Sequence, residues 1–186
     1  MTKTTLIILA GPSGTGKSTV TQYLLDRLDK VAAISKDFFR CLIHNGKYKY
    51  DTNEELLING LFNDRLISLL FRGNMNYIIL DNTHLENLAL ADIFEVCKGF
   101  DVDKKVIFFD PLGDGSPSDF EERARELRKR HLGEGRELSI EKICWQISRS
   151  LELERIWCKD PNTLIIKTKD LSCEDIANKI LSSIKP

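Results

Sequence analysis

Eight residues near the amino terminus, Gly11-Pro12-Ser13-Gly14-Thr15-Gly16-Lys17-Ser18, restrict this chain more than any other stretch. They have the spacing G-x-x-x-x-G-K-S of a phosphate-binding loop. An apolar run, Leu6-Ile7-Ile8-Leu9-Ala10, precedes them and a helical pattern follows. A strand must therefore feed a turn that opens directly into a helix. Glycines at 11, 14 and 16 permit backbone angles closed to other residues. Successive N–H groups can then curl around an anion as a nest. Lys17 brings a mobile point charge for the outer phosphates, and Ser18 a hydroxyl for Mg²⁺. The helix begun by Ser18 and Thr19 aims its positive end at the same anion. The expected nucleotide-binding set is Gly11, Ser13, Gly14, Thr15, Gly16, Lys17, Ser18 and Thr19, with ATP and Mg²⁺ as ligands.

Beyond the loop, apolar runs alternate with helical patterns along all 186 residues. Strands are expected at about 4–10, 31–35, 77–81, 104–109 and 163–166. Helices are expected from the loop to about 29, from 36 to an end at Asn45-Gly46, and at about 53–72, 86–98, 118–131, 139–157 and 172–184. The stripe read for the third helix is Leu57, Leu61, Phe62, the Arg65 stem, Ile67, Leu69 and Leu70. Uninterrupted apolar residues in Tyr77-Ile78-Ile79-Leu80 point to a strand covered on both faces. This alternation predicts a three-layer α/β fold, a five-stranded parallel sheet with helices on both faces. No linker or repeat divides the chain, so 1–186 reads as one unit. A charged segment at about 118–138 reads as a helical lid. Ligands of such sheets bind beyond the carboxyl ends of the strands.

Composition narrows the partners. A net charge of −1 provides no whole-molecule positive field for nucleic acid, so a polyanion would need a local basic pocket. No apolar run approaches the roughly 20 residues that span a bilayer. The amino terminus enters the first strand without a signal-peptide pattern. Cys41, Cys97, Cys144, Cys158 and Cys173 are odd in number and scattered. They read as buried or half-buried free thiols in a reducing cytoplasm, the expected location.

Three further features sit where strands are expected to end. Asp37 follows the second strand, and Arg40 lies three residues on, on the same helical face. The carboxylate could accept a proton from an incoming hydroxyl, and Arg40 could hold a phosphate of the acceptor. A capping aspartate paired with an arginine is the plainer alternative. Asp81 closes an apolar strand in the manner of a Walker-B carboxylate, beside the Mg²⁺-bound phosphates. Asn82, Thr83 and His84 extend from it. The third feature is the run Arg123, Arg125, Arg128, Lys129, Arg130, His131 and Arg136, interleaved with glutamates. Most of these charges suit a solvated helix. A phosphotransferase also needs a cation over the transferring group, and one of these arginines could supply it.

Taken together, GPSGTGKST at 11–19, SKDFFR at 35–40, KYKYD at 47–51, ILDNTH at 79–84 and ELRKRH at 126–131 resemble the kinase domain of bacteriophage polynucleotide kinase and related P-loop kinases. The resemblance implies transfer of the ATP γ-phosphate to a 5′-hydroxyl of DNA or RNA. It implies Asp37 as general base, Arg40 on the acceptor's 3′-phosphate, and Asp81, Asn82 and Thr83 lining the acceptor side. By the same resemblance Lys17 and Ser18 would serve ATP and Mg²⁺, and Arg130 would act from the lid; Asp81 as a metal ligand rests on its Walker-B position. The sequence departs from that pattern in places. Lys36-Asp37-Phe38 replaces Arg-Asp-Asp, and Asp81-Asn82-Thr83 replaces the phage order Asp-Thr-Asn. The lid's second arginine is Glu134, leaving Arg128 or Arg136 to substitute. Leu138-Ser139 stands for Val-Pro, and the expectation is of a kinase domain only, without the phage enzyme's phosphatase domain. Two rival expectations remain: a kinase of a nucleoside, sugar or antibiotic hydroxyl, and an ATP-binding regulatory module without transferase activity.

Overall fold

A computed structural model describes residues 3–43, 52–82, 87–112, 119–133 and 138–184. Five strands, β1 (Thr4–Ala10), β2 (Val31–Ser35), β3 (Tyr77–Asp81), β4 (Val102–Asp110) and β5 (Thr163–Lys167), form one parallel sheet in the order β2-β3-β1-β4-β5. Seven helices appear among the described residues: α1 (Lys17–Leu25), α2 (Lys36–Leu42), α3 (Thr52–Arg72), α4 (Asn87–Val96), α5 (Asp119–Gly133), α6 (Ile140–Trp157) and α7 (Cys173–Ile184). The expected five-stranded α/β architecture is what the chain adopts.

The uninterrupted apolar strands follow from burial on both faces. Side chains of a strand alternate between faces. Leu6, Ile8 and Ala10 of β1 join Leu80, Phe108, Phe62, Leu66 and Leu153 in one core layer, beneath α3, α4 and α6. Ile7 and Leu9 join Ile79, Ile107, Val20, Leu24, Ile176 and Ile180 in the other, beneath α1 and α7. A third cluster, Leu112, Ala124, Leu127, Ile143 and Ile147, binds α5 to α6. Each of the first two layers buries large aliphatic side chains on a scale of about 1.5–3 kcal/mol apiece.

Several expectations shift. The stripe of α3 is rotated: Ile58, Phe62, Leu66, Leu69 and Leu70 are buried, whereas Leu57, Leu61 and Ile67 are exposed. Leucines on both sides of the helix gave two possible phases, and packing selects the one through Ile58 and Leu66. The first helix ends at Leu25 rather than near 29, in a turn where Leu28 N–H donates to Leu24 O and Lys30 adopts a positive φ. β4 begins at Val102, since its early residues pair with Thr4 and Thr5 of β1. α5 continues through Gly133, past the expected end at about 131. All five cysteines are free, but Cys41 and Cys158 are exposed rather than buried. No helix among the described residues is long and apolar enough to cross a membrane.

Candidate active site at the carboxyl edge of the sheet

The phosphate loop leaves β1 with positive φ at Gly11 (145°), Gly14 (79°) and Gly16 (89°). Gly11 is also confined in space. A Cβ there would lie 2.9 Å from the Cβ and carbonyl oxygen of Phe109, so the end of β4 forms the loop's floor. Gly16 is the N-cap of α1 and carries no side chain to occupy the helix's first N–H groups. The loop braces itself. Thr15 Oγ1 donates to Pro12 O at 2.8 Å, and the buried Lys17 Nζ donates to Gly11 O and Pro12 O at 2.8 and 2.7 Å. The flexible lysine stem places that ammonium beside the nest, and the same stem allows it to turn towards an anion.

Sheet register brings the acidic residues to this loop. Leu9 of β1 lies opposite Asp81 of β3, and Asp81 lies opposite Ser35 of β2. The chain after Ser35 turns into α2, whose cap is the Ser35 hydroxyl accepting from Asp37 N–H at 3.2 Å. Asp37 thus stands at the neighbouring strand end. Asp81 is buried, and burial pushes its carboxyl above the ordinary value. The Lys17 charge and a hydrogen bond from Ser18 oppose that rise, while the Asp37 charge adds to it. Lys17, Ser18, Asp81 and Asp37 therefore form one electrostatic group. A serine hydroxyl and a carboxylate held together are hard oxygen donors, the kind Mg²⁺ takes alongside phosphate oxygens and water. This donor pair fits the ion that the loop implies.

Arg40 sits between two carboxylates. Its Nη1 donates to Asp37 Oδ1 at 2.7 Å; its Nη2 donates to Glu55 Oε1 and Oε2 at 2.9 and 3.3 Å. Burial works against the guanidinium charge, but Asp37 and Glu55 outweigh it and raise its pKa. Asp37 pairs with Arg40 as expected, but it is not the cap of α2: that place is taken by Ser35, and Asp37 lies in the helix's first turn. Asn82 is half-buried beside Asp81. Thr83, His84, Glu134, Arg136 and the 47–51 turn lie outside the described residues.

On α5, Arg130 is exposed and Arg128 half-buried. Arg123 is the buried arginine of that helix and donates to Glu126 Oε2. Arg123 holds the Glu126 carboxyl below its ordinary value, with Arg130 and Lys169 contributing from nearby. The Lys169 charge, in the turn after β5, is thus felt on α5.

The structure adds residues that sequence reasoning missed. Gln146 of α6 is buried, and its Oε1 accepts from Ser13 N–H at 2.9 Å. A backbone N–H can only donate, so the carboxamide oxygen must face the loop. Ser150 and Glu154 follow at one-turn intervals and are buried too. Burial, reinforced by Asp110, pushes Glu154 up to about 8. Polar residues four apart within an apolar helix pattern were the available signal. Glu55 had no local signal, because its partner lies in another element.

A family model described as AAA domain matches residues 6–138, well over half of the chain. A cytidylate kinase of Mycoplasmopsis pulmonis (strain UAB CTIP) is 33% identical over 91 residues, 49% of this chain and 37% of that protein. The chain thus spans little more than a third of that relative's length. Among solved structures, a chain of the Pnkp1/Rnl/Hen1 RNA repair complex has a TM-score of 0.60 at 24% identity, covering 82% of this chain and 47% of that one. A gluconokinase from Sinorhizobium meliloti 1021 has a TM-score of 0.61 at 16% identity, covering 98% and 93%. These likenesses establish the P-loop kinase fold.

Proposed function

The chain belongs to the AAA domain family, and from that premise we propose that it is an ATP-dependent kinase of 5′-hydroxyl ends of DNA or RNA. One observation carries the reading: Asp37 and the Lys17–Ser18 pair both act on the same buried carboxylate, Asp81, at adjacent strand ends. A proton acceptor and a triphosphate grip thereby share one cleft. Residues 11–19 hold the phosphates through backbone N–H groups and Lys17. Ser18 and Asp81 would hold Mg²⁺, which when bound neutralises charge on the triphosphate. Asp37 takes the proton of the acceptor hydroxyl. The acceptor oxygen forms its bond to the γ-phosphorus as the bond to the β–γ bridging oxygen breaks, and ADP leaves. Lys17 and a lid arginine, Arg128 or Arg130, offset the charge on the transferring group. Arg40 receives the phosphate 3′ to the reacting nucleoside.

The test is incubation with γ-labelled ATP, Mg²⁺ and a panel of 5′-hydroxyl oligonucleotides, nucleosides and sugars. Label on the oligonucleotides, lost by ~10²-fold or more in Asp37→Ala with ATP binding retained, supports the proposal. Label confined to small molecules, or an Asp37→Ala variant with the parental rate, contradicts it. The pairing of Arg40 with Glu55 favours a second reading, a small-molecule hydroxyl as acceptor, because that arginine is already compensated. A regulatory module without transfer would show no acceptor-stimulated release of ADP.

A further inference from the structure

Arg40 is the cation on which recognition of an acceptor phosphate depends, and the structure shows what else seeks it. One arm of its guanidinium is bound by Asp37 and the other by both oxygens of Glu55. The three groups by themselves carry a formal charge of −1, so Arg40 meets a phosphate with its own charge already offset by the two carboxylates. The two carboxylates are not equivalent. Asp37 shares α2 with Arg40, three residues away, and the helix holds the two together. Glu55 reaches across from α3, fifteen residues on, so no shared helix fixes it beside Arg40. Displacing Glu55 from Arg40 moves a side chain that belongs to another helix and leaves the proposed base in place. Displacing Asp37 would remove the proposed base from its station.

We infer that Glu55 is a specificity-determining residue of the acceptor site, competing with an acceptor phosphate for Arg40. The inference rests on the proposed role of Arg40 in that site. An acceptor with a phosphate beside its reacting sugar must exchange with Glu55; one without it leaves the Arg40–Glu55 pair undisturbed. Both are charge-assisted bonds of Arg to oxygen, so the competition is between similar partners. The site therefore discriminates against phosphate-bearing acceptors relative to what Arg40 alone would achieve. Neutralising residue 55 should release that restraint without touching the phosphate loop.

The experiment compares a nucleoside with the same nucleoside bearing a 3′-phosphate, each as acceptor at saturating MgATP, for the wild-type chain and for Glu55→Gln. Glu55→Ala is run in parallel, with circular dichroism and melting to verify folding. The expected result is a fall of about tenfold in KM for the phosphate-bearing acceptor, little change for the nucleoside, and a similar kcat for both. Combining Glu55→Gln with Arg40→Gln should abolish the gain, since the two residues act as one unit. A merely structural Glu55 would shift both acceptors together. An unchanged preference in the Glu55 variants, while the wild type phosphorylates both compounds, overturns the inference and leaves the kinase reading standing. Failure of the wild type to phosphorylate either compound overturns the acceptor reading, and the inference with it.

Discussion

Gly11 shows how little freedom the phosphate loop has. Its φ of 145° lies in the region that suits glycine, and an added Cβ would meet the Phe109 backbone at 2.9 Å. Backbone cannot swing aside as a side-chain tip can. Gly11→Ala should destabilise the fold by at least ~1 kcal/mol, read as a lower denaturant midpoint, and should weaken ATP binding. Gly60, inside α3, is the opposite case: a Cβ there meets nothing within 4 Å. Gly60→Ala should stabilise by ~0.5–1 kcal/mol. Equal midpoints for the two variants would mean that the Phe109 floor yields easily. Gly11, Lys17, Asp37 and Asp81 were legible in the sequence because each belongs to a short local pattern at a strand end. Glu55 and Gln146 were not, because their hydrogen bonds join elements 15 and 133 positions apart.

Helix α6 works on two fronts. Ile143 and Ile147 seat α5, while Gln146, Ser150 and Glu154 run as a buried polar stripe beside the loop and β4. Removing the acceptor from Ser13 N–H in Gln146→Leu should cost ~1–3 kcal/mol, because a part-buried donor loses its partner. Glutamate at 146 keeps an acceptor oxygen and should recover part of that loss; a leucine variant as stable as the parent would show that water replaces the carboxamide. Glu154 sets a pH dependence. Its ordinary value is 4.5 and its folded value about 8, with Oε1 buried and unpartnered among the described residues. The folded chain holds this proton more tightly than the unfolded chain. The contribution to stability is thus complete below about pH 4.5 and is lost as pH rises towards 8, at up to ~1.4 kcal/mol per unit. Glu154→Gln cannot ionise, so its melting temperature should overtake the parent's as pH increases from 5 to 8.5. Parallel melting curves across that range would refute the assignment. At this scale the sequence revealed where helices lie better than which way they face. The type and order of the elements followed from periodicity, yet the apolar residues on several sides of α3 left its phase to be decided by the sheet.

For the whole molecule, alternation of strand and helix was sufficient to predict a parallel sheet, because few other arrangements bury both faces of such apolar strands. The strand order β2-β3-β1-β4-β5 was not written locally, and it is what places Asp37 one strand beyond Asp81 and two beyond the loop. Global charge bears on the acceptor in the same way. At a net charge of −1, the chain has no broad field to gather a polyanion, and binding must rely on the few cations that touch phosphate. Each phosphate of a single strand neutralised by such a contact releases counterions, giving a salt slope of about −0.7 per contact. In the proposed acceptor site Arg40 would provide one contact, and an arginine of α5 another. The acceptor KM for a 5′-hydroxyl oligonucleotide, measured at saturating MgATP, should therefore change with salt by a log–log slope of magnitude about 0.7–1.4. For an uncharged nucleoside the slope should be near zero. The slope should be the same for a dinucleotide as for a twenty-nucleotide strand, since the proposed site grips only the acceptor end. A magnitude of about 3 or more that grows with length would mean that a basic track binds the strand, and the view of a short, locally read acceptor end would be abandoned.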